Sequence, residues 1–217
     1  MKTSRLLCIV LAAALAFVSW KLVSWKLVSN GNQHQESGVA AYSSDNKAYD
    51  CIMTRTSCRS FTDERPTEEQ IDSLLQAAMA APTARNAQPW QIIVVTDRDI
   101  LDTIANTCKN IKMAAEAPMA FVACGDLTIA EEKGGDEFWN QDLSAVTENI
   151  LLAAHSMGFG AVWCGIYPVQ ERVDFVQKLL ELPETVVPLS IIPIGRPKNT
   201  LSPKDKFDRE RIHYNGW

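Results

Sequence analysis

No CxxC pair occurs among the six cysteines of this chain, and the three histidines, His34, His155 and His213, are isolated from one another and from the cysteines. Zinc-site spacing is therefore missing. Cys8, Cys51, Cys58, Cys108, Cys124 and Cys164 fall in apolar or helix-patterned segments, which reads as free, mostly buried thiols rather than a disulfide framework. Positive charge is in deficit: 21 Lys and Arg against 26 Asp and Glu give a net charge of -5, so there is no basic face for nucleic acid. Neither a nucleophile triad nor a carboxylate pair is legible, and no side chain stands out as nucleophile or general base. A long uninterrupted apolar run is missing too. Residues 6–18 carry no charge, but that is short of the roughly 20 residues a comfortable membrane span needs.

What the N-terminus does have is Lys2 and Arg5 ahead of that run, the layout of a secretory signal sequence. A direct duplication, Ser19-Trp20-Lys21-Leu22-Val23 and Ser24-Trp25-Lys26-Leu27-Val28, extends it with snorkelling lysines and interfacial tryptophans, so an uncleaved anchor is the other reading. Residues 1–29 are taken as signal sequence or anchor, residues 30–48 as a polar Ser/Asn/Gln/Gly linker, and residues 49–217 as one folded domain. With 47% apolar residues, the chain can bury a sizeable core.

The domain is organised around Ala81-Pro82-Thr83-Ala84-Arg85-Asn86-Ala87-Gln88-Pro89-Trp90, a connection between a helix and a strand. Its prolines refuse further helix. It offers hydrogen-bonding side chains on Thr83, Asn86 and Gln88 with an aromatic plug behind, a ligand-binding layout that is also compatible with an ordinary loop. Upstream, Arg55-Thr56-Ser57-Cys58-Arg59-Ser60-Phe61 sets two arginines four apart around a hydroxyl. They either converge on one anion or form a solvated basic turn.

Thr67-Glu68-Glu69-Gln70 is a capping box opening a helix whose buried face is Ile71, Leu74, Leu75, Ala78 and Met79. A strand at 92–96, a helix at 100–112 and a strand at 119–124 follow. The acidic stretch 125–139 reads as a mobile lid or as a plain surface loop. Residues 141–157 form the longest helix, a core or dimer helix with His155 as a satisfied core histidine. Gly158 and Gly160 end it. Residues 161–168 give a short strand with Gly165 where a ligand can approach the backbone. A helix at 169–180 precedes a strand at 186–194 that Pro188 and Pro193 make short or near an edge.

Four motifs, Arg55-x-Ser57-x-Arg59-x-Phe61, Pro82-Thr83-Ala84-x-Asn86-x-Gln88-Pro89-Trp90, Gly158-x-Gly160-x-x-Trp163-x-Gly165 and Ile194-Gly195-Arg196-Pro197, resemble in order and spacing those of the nitroreductase family. The resemblance covers residues 49–217. It implies an α+β domain with a mixed central β-sheet flanked by helices, entwined as a homodimer with one FMN per subunit at the interface. By motif it assigns Arg55, Thr56, Ser57 and Arg59 to the FMN phosphate, ribityl chain and pyrimidine edge. Pro82, Thr83, Ala84, Asn86 and Gln88 belong to the loop reaching the partner subunit's flavin. Trp163, Cys164 and Gly165 run along the isoalloxazine, and Gly195 and Arg196 lie on the phosphate side, with Lys206 a competing cation. Cys164 is also a small buried hydrophobe in its own right. The implied activity is ping-pong transfer from NAD(P)H to a nitroaromatic or quinone, with no catalytic side chain. A flavin-storing module, or a specialised dehalogenating or flavin-fragmenting enzyme on the same fold, is the alternative. The leader implies export or a membrane tether, including an anchor that leaves the domain in the cytoplasm.

Overall fold

A computed structural model describes residues 47–217. The leader and nearly all of the linker lie outside the described residues. Helix α1 (Lys47–Thr54) already starts within the expected linker span. Helix α2 (Glu68–Met79) opens on the expected capping box: Gln70 N–H donates to Thr67 Oγ1 at 3.3 Å and Thr67 N–H to Gln70 Oε1 at 2.9 Å. Strand β1 (Trp90–Val95) leads to α3 (Arg98–Thr107), capped by the Asp97 carboxylate, and then to β2 (Met119–Asp126). Helices α4 (Leu127–Glu132) and α5 (Trp139–Ser156) come next. The two-residue strands β3 (Gly160–Ala161) and β4 (Cys164–Gly165), helix α6 (Gln170–Leu179) and strand β5 (Val186–Gly195) complete the framework.

The sheet runs β1-β2-β5-β3, with β4 also on β5. Alternate residues of β2 enter two different cores. Met119, Phe121 and Ala123 pack with Leu74, Leu143 and Ile150 of α2 and α5, while Ala120, Val122 and Cys124 pack with Leu101, Ile104, Val173 and Val176 of α3 and α6. Both faces of the sheet are therefore covered, which is why β2 and β5 read as continuous apolar runs.

Three expectations are corrected. Every ladder among the described residues is antiparallel, not mixed. A parallel neighbour needs a single crossover leg, whereas between β1 and β2 the chain adds a 3-10 segment, Lys112–Ala115, packed against α3. Strand β5 is neither short nor at an edge: it spans ten residues in mid-sheet. Its prolines sit where the ladder is already broken. Pro188 falls at a register shift opposite Cys124, and Pro193 lies opposite the gap between β3 and β4, so their missing N–H groups leave no hole. The 125–139 stretch is not a free excursion. It holds α4 and a turn closed by Gly134 N–H to the Glu131 carbonyl at 2.8 Å and Gly135 N–H to the Ala130 carbonyl at 2.7 Å.

Candidate functional site

Three of the four motifs meet on one side of the sheet. Cys58 N–H donates to the Ala161 carbonyl at 3.0 Å, Thr62 N–H to the Arg196 carbonyl at 2.8 Å, and Phe61 bridges Pro197. Gly160 permits this closeness: a Cβ there would stand 2.5 Å from Cys58 Cβ. Arg59 hangs from this seam, exposed and without an ion pair or hydrogen bond among the described residues. It lies close enough to β4 that its charge opposes the rise that burial imposes on the Cys164 thiol, whose pKa is nonetheless pushed up to about 11. That thiol turns into the core against Met113 Sδ at 3.8 Å, so Cys164 presents only backbone to the outside. The small-hydrophobe reading of Cys164 accounts for its side chain.

Gly165 faces open space, since a Cβ on it would meet nothing within 4 Å. Its carbonyl is fixed by Arg172 Nη1 at 3.0 Å and Asn110 Nδ2 at 3.4 Å. Trp163 is partly exposed beside it. A flat ring could lie over this strand with a guanidinium at hand.

The four candidate cations divide cleanly. Arg55 Nε pairs with Glu148 Oε1 at 3.3 Å, and only 17% of the Arg55 side chain is exposed. Arg196 is more deeply committed, to Glu64 Oε1 at 2.9 Å, to the Met157 carbonyl at 3.1 Å and over the Phe159 ring at 4.1 Å. Arg59 and Lys206 have no such partner among the described residues, and the hydroxyls of Thr56 and Ser57 have none either. Gly195 is close-packed, with Pro118 Cδ 2.6 Å from a would-be Cβ, so it serves packing. His155 has the expected partner but is only half-buried and not in the core: its Nε2 lies 2.8 Å from Thr54 Oγ1, and partial burial followed by the Arg55 charge lowers its pKa.

The central loop stands apart. Among the described residues no hydrogen bond or ion pair joins residues 82–89 to the other three motifs. Its backbone is unusual: Arg85, Asn86 and Gln88 have φ of 52°, 55° and 52°, a region that non-glycine residues rarely occupy. Thr83 Oγ1 donates to Asp142 Oδ2 at 2.8 Å and accepts from Gln88 N–H at 3.0 Å, while Ala84 N–H donates to Asp142 Oδ1 at 2.9 Å. Gln88 Nε2 donates to Asn86 Oδ1 at 2.8 Å. Pro82 precedes this knot and keeps it out of α2. Among the described residues the Asn86 amide nitrogen and the exposed Arg85 guanidinium are the side-chain groups of the loop left without an acceptor.

The reading from sequence passed over Asp142. The available signal was a carboxylate in phase with Leu143, Val146 and Ile150, where a helix expected to be buried should be apolar. Glu148 and Glu64, which engage Arg55 and Arg196, gave no such signal because they are exposed acids.

Residues 52–196 match the nitroreductase family. A Methanothermobacter thermautotrophicus protein, whose name of NADH dehydrogenase/NAD(P)H nitroreductase is provisional, is 42% identical over 168 residues, spanning 77% of this chain and 86% of the relative. The FMN reductase (NADPH) of Bacillus subtilis is 30% identical over 184 residues, 78% of this chain and 73% of that one. A crystal structure from Parabacteroides distasonis with the same provisional name aligns with a TM-score of 0.76 at 42% identity, covering 80% of this chain and all of its own. The NADPH:FMN oxidoreductase of Vibrio harveyi, solved with NAD+, aligns with a TM-score of 0.71 at 27% identity, covering 79% and 78%. With the motifs assembled as described and the fold shared throughout, this chain belongs to the nitroreductase family as an NAD(P)H flavin oxidoreductase.

Proposed function

We propose that the chain works as a homodimer holding one FMN per subunit and reduces small electron-poor acceptors, nitroaromatics or quinones, at the expense of NADH or NADPH. The observation that carries this reading is Arg59, an uncommitted guanidinium on the seam whose charge reaches Cys164, next to the open backbone of Gly165. The residues fit the cofactor. Of the four candidate cations, Arg59 is the one on the seam with donors to spare for an anionic phosphate or ring edge, Lys206 is uncommitted but not joined to the seam by any contact among the described residues, and Ser57 and Thr56 add hydroxyls. Gly165 leaves room for a ring, and Trp163 borders it. The chemistry such a group supplies when bound is two-electron transfer from NAD(P)H to the acceptor in separate half-reactions. The protein's own share is position and electrostatics: a fixed positive charge where the reduced ring turns negative, with no side chain required as acid or base.

Two features support the dimer. Cys51, Ile52, Ala77, Leu152 and Ala153 line an apolar groove of about 500 Å³ on the outer side of α1, α2 and α5. The C-terminal tail leaves Phe207, Tyr214 and Trp217 largely exposed within one chain. Surfaces of this kind call for a partner, and the loop carrying Asn86, separate from the other motifs of its own chain, would then serve the neighbouring subunit. Residues 1–29 would export or tether the domain. Equal membrane partition of the whole chain and of a version lacking residues 1–46 would remove that part of the proposal.

The test is a visible spectrum of the purified chain reconstituted with FMN, before and after anaerobic NADH or NADPH. A bound-flavin band that bleaches with one nucleotide and returns on adding a nitroaromatic or quinone is the expected result. A bound flavin that neither nucleotide bleaches overturns the reductase reading, and no bound flavin overturns the site.

A further inference from the structure

Asp142 is 5% exposed and has no ion pair among the described residues. A carboxylate in that position must be satisfied by hydrogen-bond donors alone, and both donors it has found belong to the central loop: the Thr83 hydroxyl at 2.8 Å and the Ala84 N–H at 2.9 Å. From there a relay continues. The Thr83 hydroxyl, with its proton given to Asp142, can only accept from Gln88 N–H, and the Gln88 side chain in turn holds the Asn86 carbonyl oxygen. The Asn86 amide is thus held by its oxygen, and its nitrogen keeps no partner among the described residues. The conformation being held is a strained one, with Arg85, Asn86 and Gln88 all left-handed and none of them glycine.

The opposite side of the loop is buttressed by the turn after α4. A Cβ on Gly134 would stand 3.2 Å from Arg85 Nη1, and one on Gly135 would stand 3.3 Å from Ala87 Cβ. Strain of this kind persists only where surroundings impose it, and here the buried carboxylate on α5 supplies the hydrogen bonds while the turn after α4 supplies the packing.

We propose that Asp142 is a positioning residue for the flavin: through Thr83 and Gln88 it holds Asn86 in the orientation that meets the ring. This rests on the flavin reading above. Both carboxylate oxygens of Asp142 are taken up by the loop, so its influence on the ring is exerted through the loop, and is assigned to Asn86. That requirement separates the proposal from a role in stability alone.

The experiment is a double-mutant cycle on FMN affinity, measured by flavin fluorescence quenching on the full chain, with Asp142→Ala, Asn86→Ala and the pair. Asp142→Ala in the wild-type background is expected to raise the FMN dissociation constant about tenfold, and in the Asn86→Ala background to change it less than twofold. Thr147→Val is the matched control, since it breaks a buried hydroxyl contact of the same helix, Thr147 to Ser190 at 3.0 Å, well away from the loop. It should lower the melting temperature and leave FMN affinity alone. Should Asp142→Ala fail to fold, Thr83→Val interrupts the same relay and Asp142→Asn keeps the Ala84 acceptor; the first should reproduce the loss and the second recover part of it.

An unchanged dissociation constant in Asp142→Ala, an equal effect with and without Asn86, or an equal effect from Thr147→Val overturns the proposal while leaving the flavin reading intact. A wild-type chain that binds no FMN overturns both.

Discussion

Replacing Arg196 by alanine should cost stability first and flavin second, the reverse of what its place in the sequence suggests. Its guanidinium donates to the Met157 carbonyl at 3.1 Å, pairs with Glu64 at 2.9 Å and covers the Phe159 ring at 4.1 Å. Met157 is the C-cap residue of α5, so its carbonyl is one of those a helix end leaves without a partner, and a cation there also meets the negative end of the helix dipole. A charged hydrogen bond contributes about 1.5–3 kcal/mol. The ring contact adds ~0.5–1 kcal/mol. The Glu64 pair, 32% and 60% exposed, is screened by water and adds ~0.2–1 kcal/mol. One charge serves all three, so the terms overlap and a total of about 2–4 kcal/mol is reasonable. In a domain of this size 1 kcal/mol moves the melting temperature by roughly 2–4 °C, which gives a drop of about 4–16 °C for Arg196→Ala in the apo chain. Lysine keeps the charge but cannot fork to two acceptors, so Arg196→Lys should recover part of the loss. Circular dichroism melts of the apo chain and FMN titrations of the same samples measure both quantities. An unchanged melting temperature together with an FMN affinity loss of tenfold or more would refute the reasoning and make Arg196 a phosphate ligand.

The seam carrying Arg59 gives the complementary expectation: Arg59→Ala, at an exposed side chain without partners among the described residues, should weaken FMN retention about tenfold or more and leave the apo melting temperature within 2 °C or so. A full flavin complement on a desalted Arg59→Ala sample would remove it from the site. Gly160→Ala should destabilise by about 1–3 kcal/mol in urea titrations, because its new Cβ would meet Cys58 Cβ at 2.5 Å and Cys58 Sγ at 2.6 Å, parting β3 from the segment that bears Arg59. His155 sets a pH dependence. Burial and then Arg55 lower its pKa, so the folded state keeps the ring neutral while the unfolded chain takes a proton near pH 6.5. Its contribution is present above that pH and is lost as pH falls. His155→Gln should flatten the decline in urea midpoint between pH 7 and 5, and an unaltered slope would count against it.

Legibility in the sequence followed burial geometry. The capping box at Thr67 and the apolar phase of α5 were readable because a one-sided helix shows its period, and the four motifs were readable as short fixed spacings. Strand β5 was misjudged because prolines were weighed as local breakers, while the structure sets each one where the ladder is already interrupted. The sheet's direction left no trace either: with both faces covered, β2 and β5 lack the alternation that would announce pairing partners. The site suffered most where the partners are distant. Nothing near Arg55, Thr83 or Arg196 announces Glu148, Asp142 or Met157, separated from them by 93, 59 and 39 positions in the sequence.

Those distant partners share one element. Asp142 fastens the central loop, Glu148 takes Arg55, Asn149 Nδ2 donates to the Ala77 carbonyl at the end of α2, the Leu152 carbonyl accepts from Cys51 Sγ at 3.4 Å, and His155 meets Thr54. At the C-cap, Met157 receives Arg196. Helix α5 buries its apolar residues in the core and uses its polar ones to hang the motif segments in place, which is why its longest-range contacts are side-chain hydrogen bonds and not only packing. A polar residue of this helix is then a fastener for one segment at a time. Glu148→Gln should loosen Arg55 and α1 while leaving the Asp142 latch intact, and hydrogen exchange should report it: faster exchange at Arg55 N–H, which donates to the Cys51 carbonyl at 3.0 Å, with Ala84 and Gln88 unaltered. Equal acceleration at all three amides would mean that α5 yields as a whole and that the segments are not fastened separately.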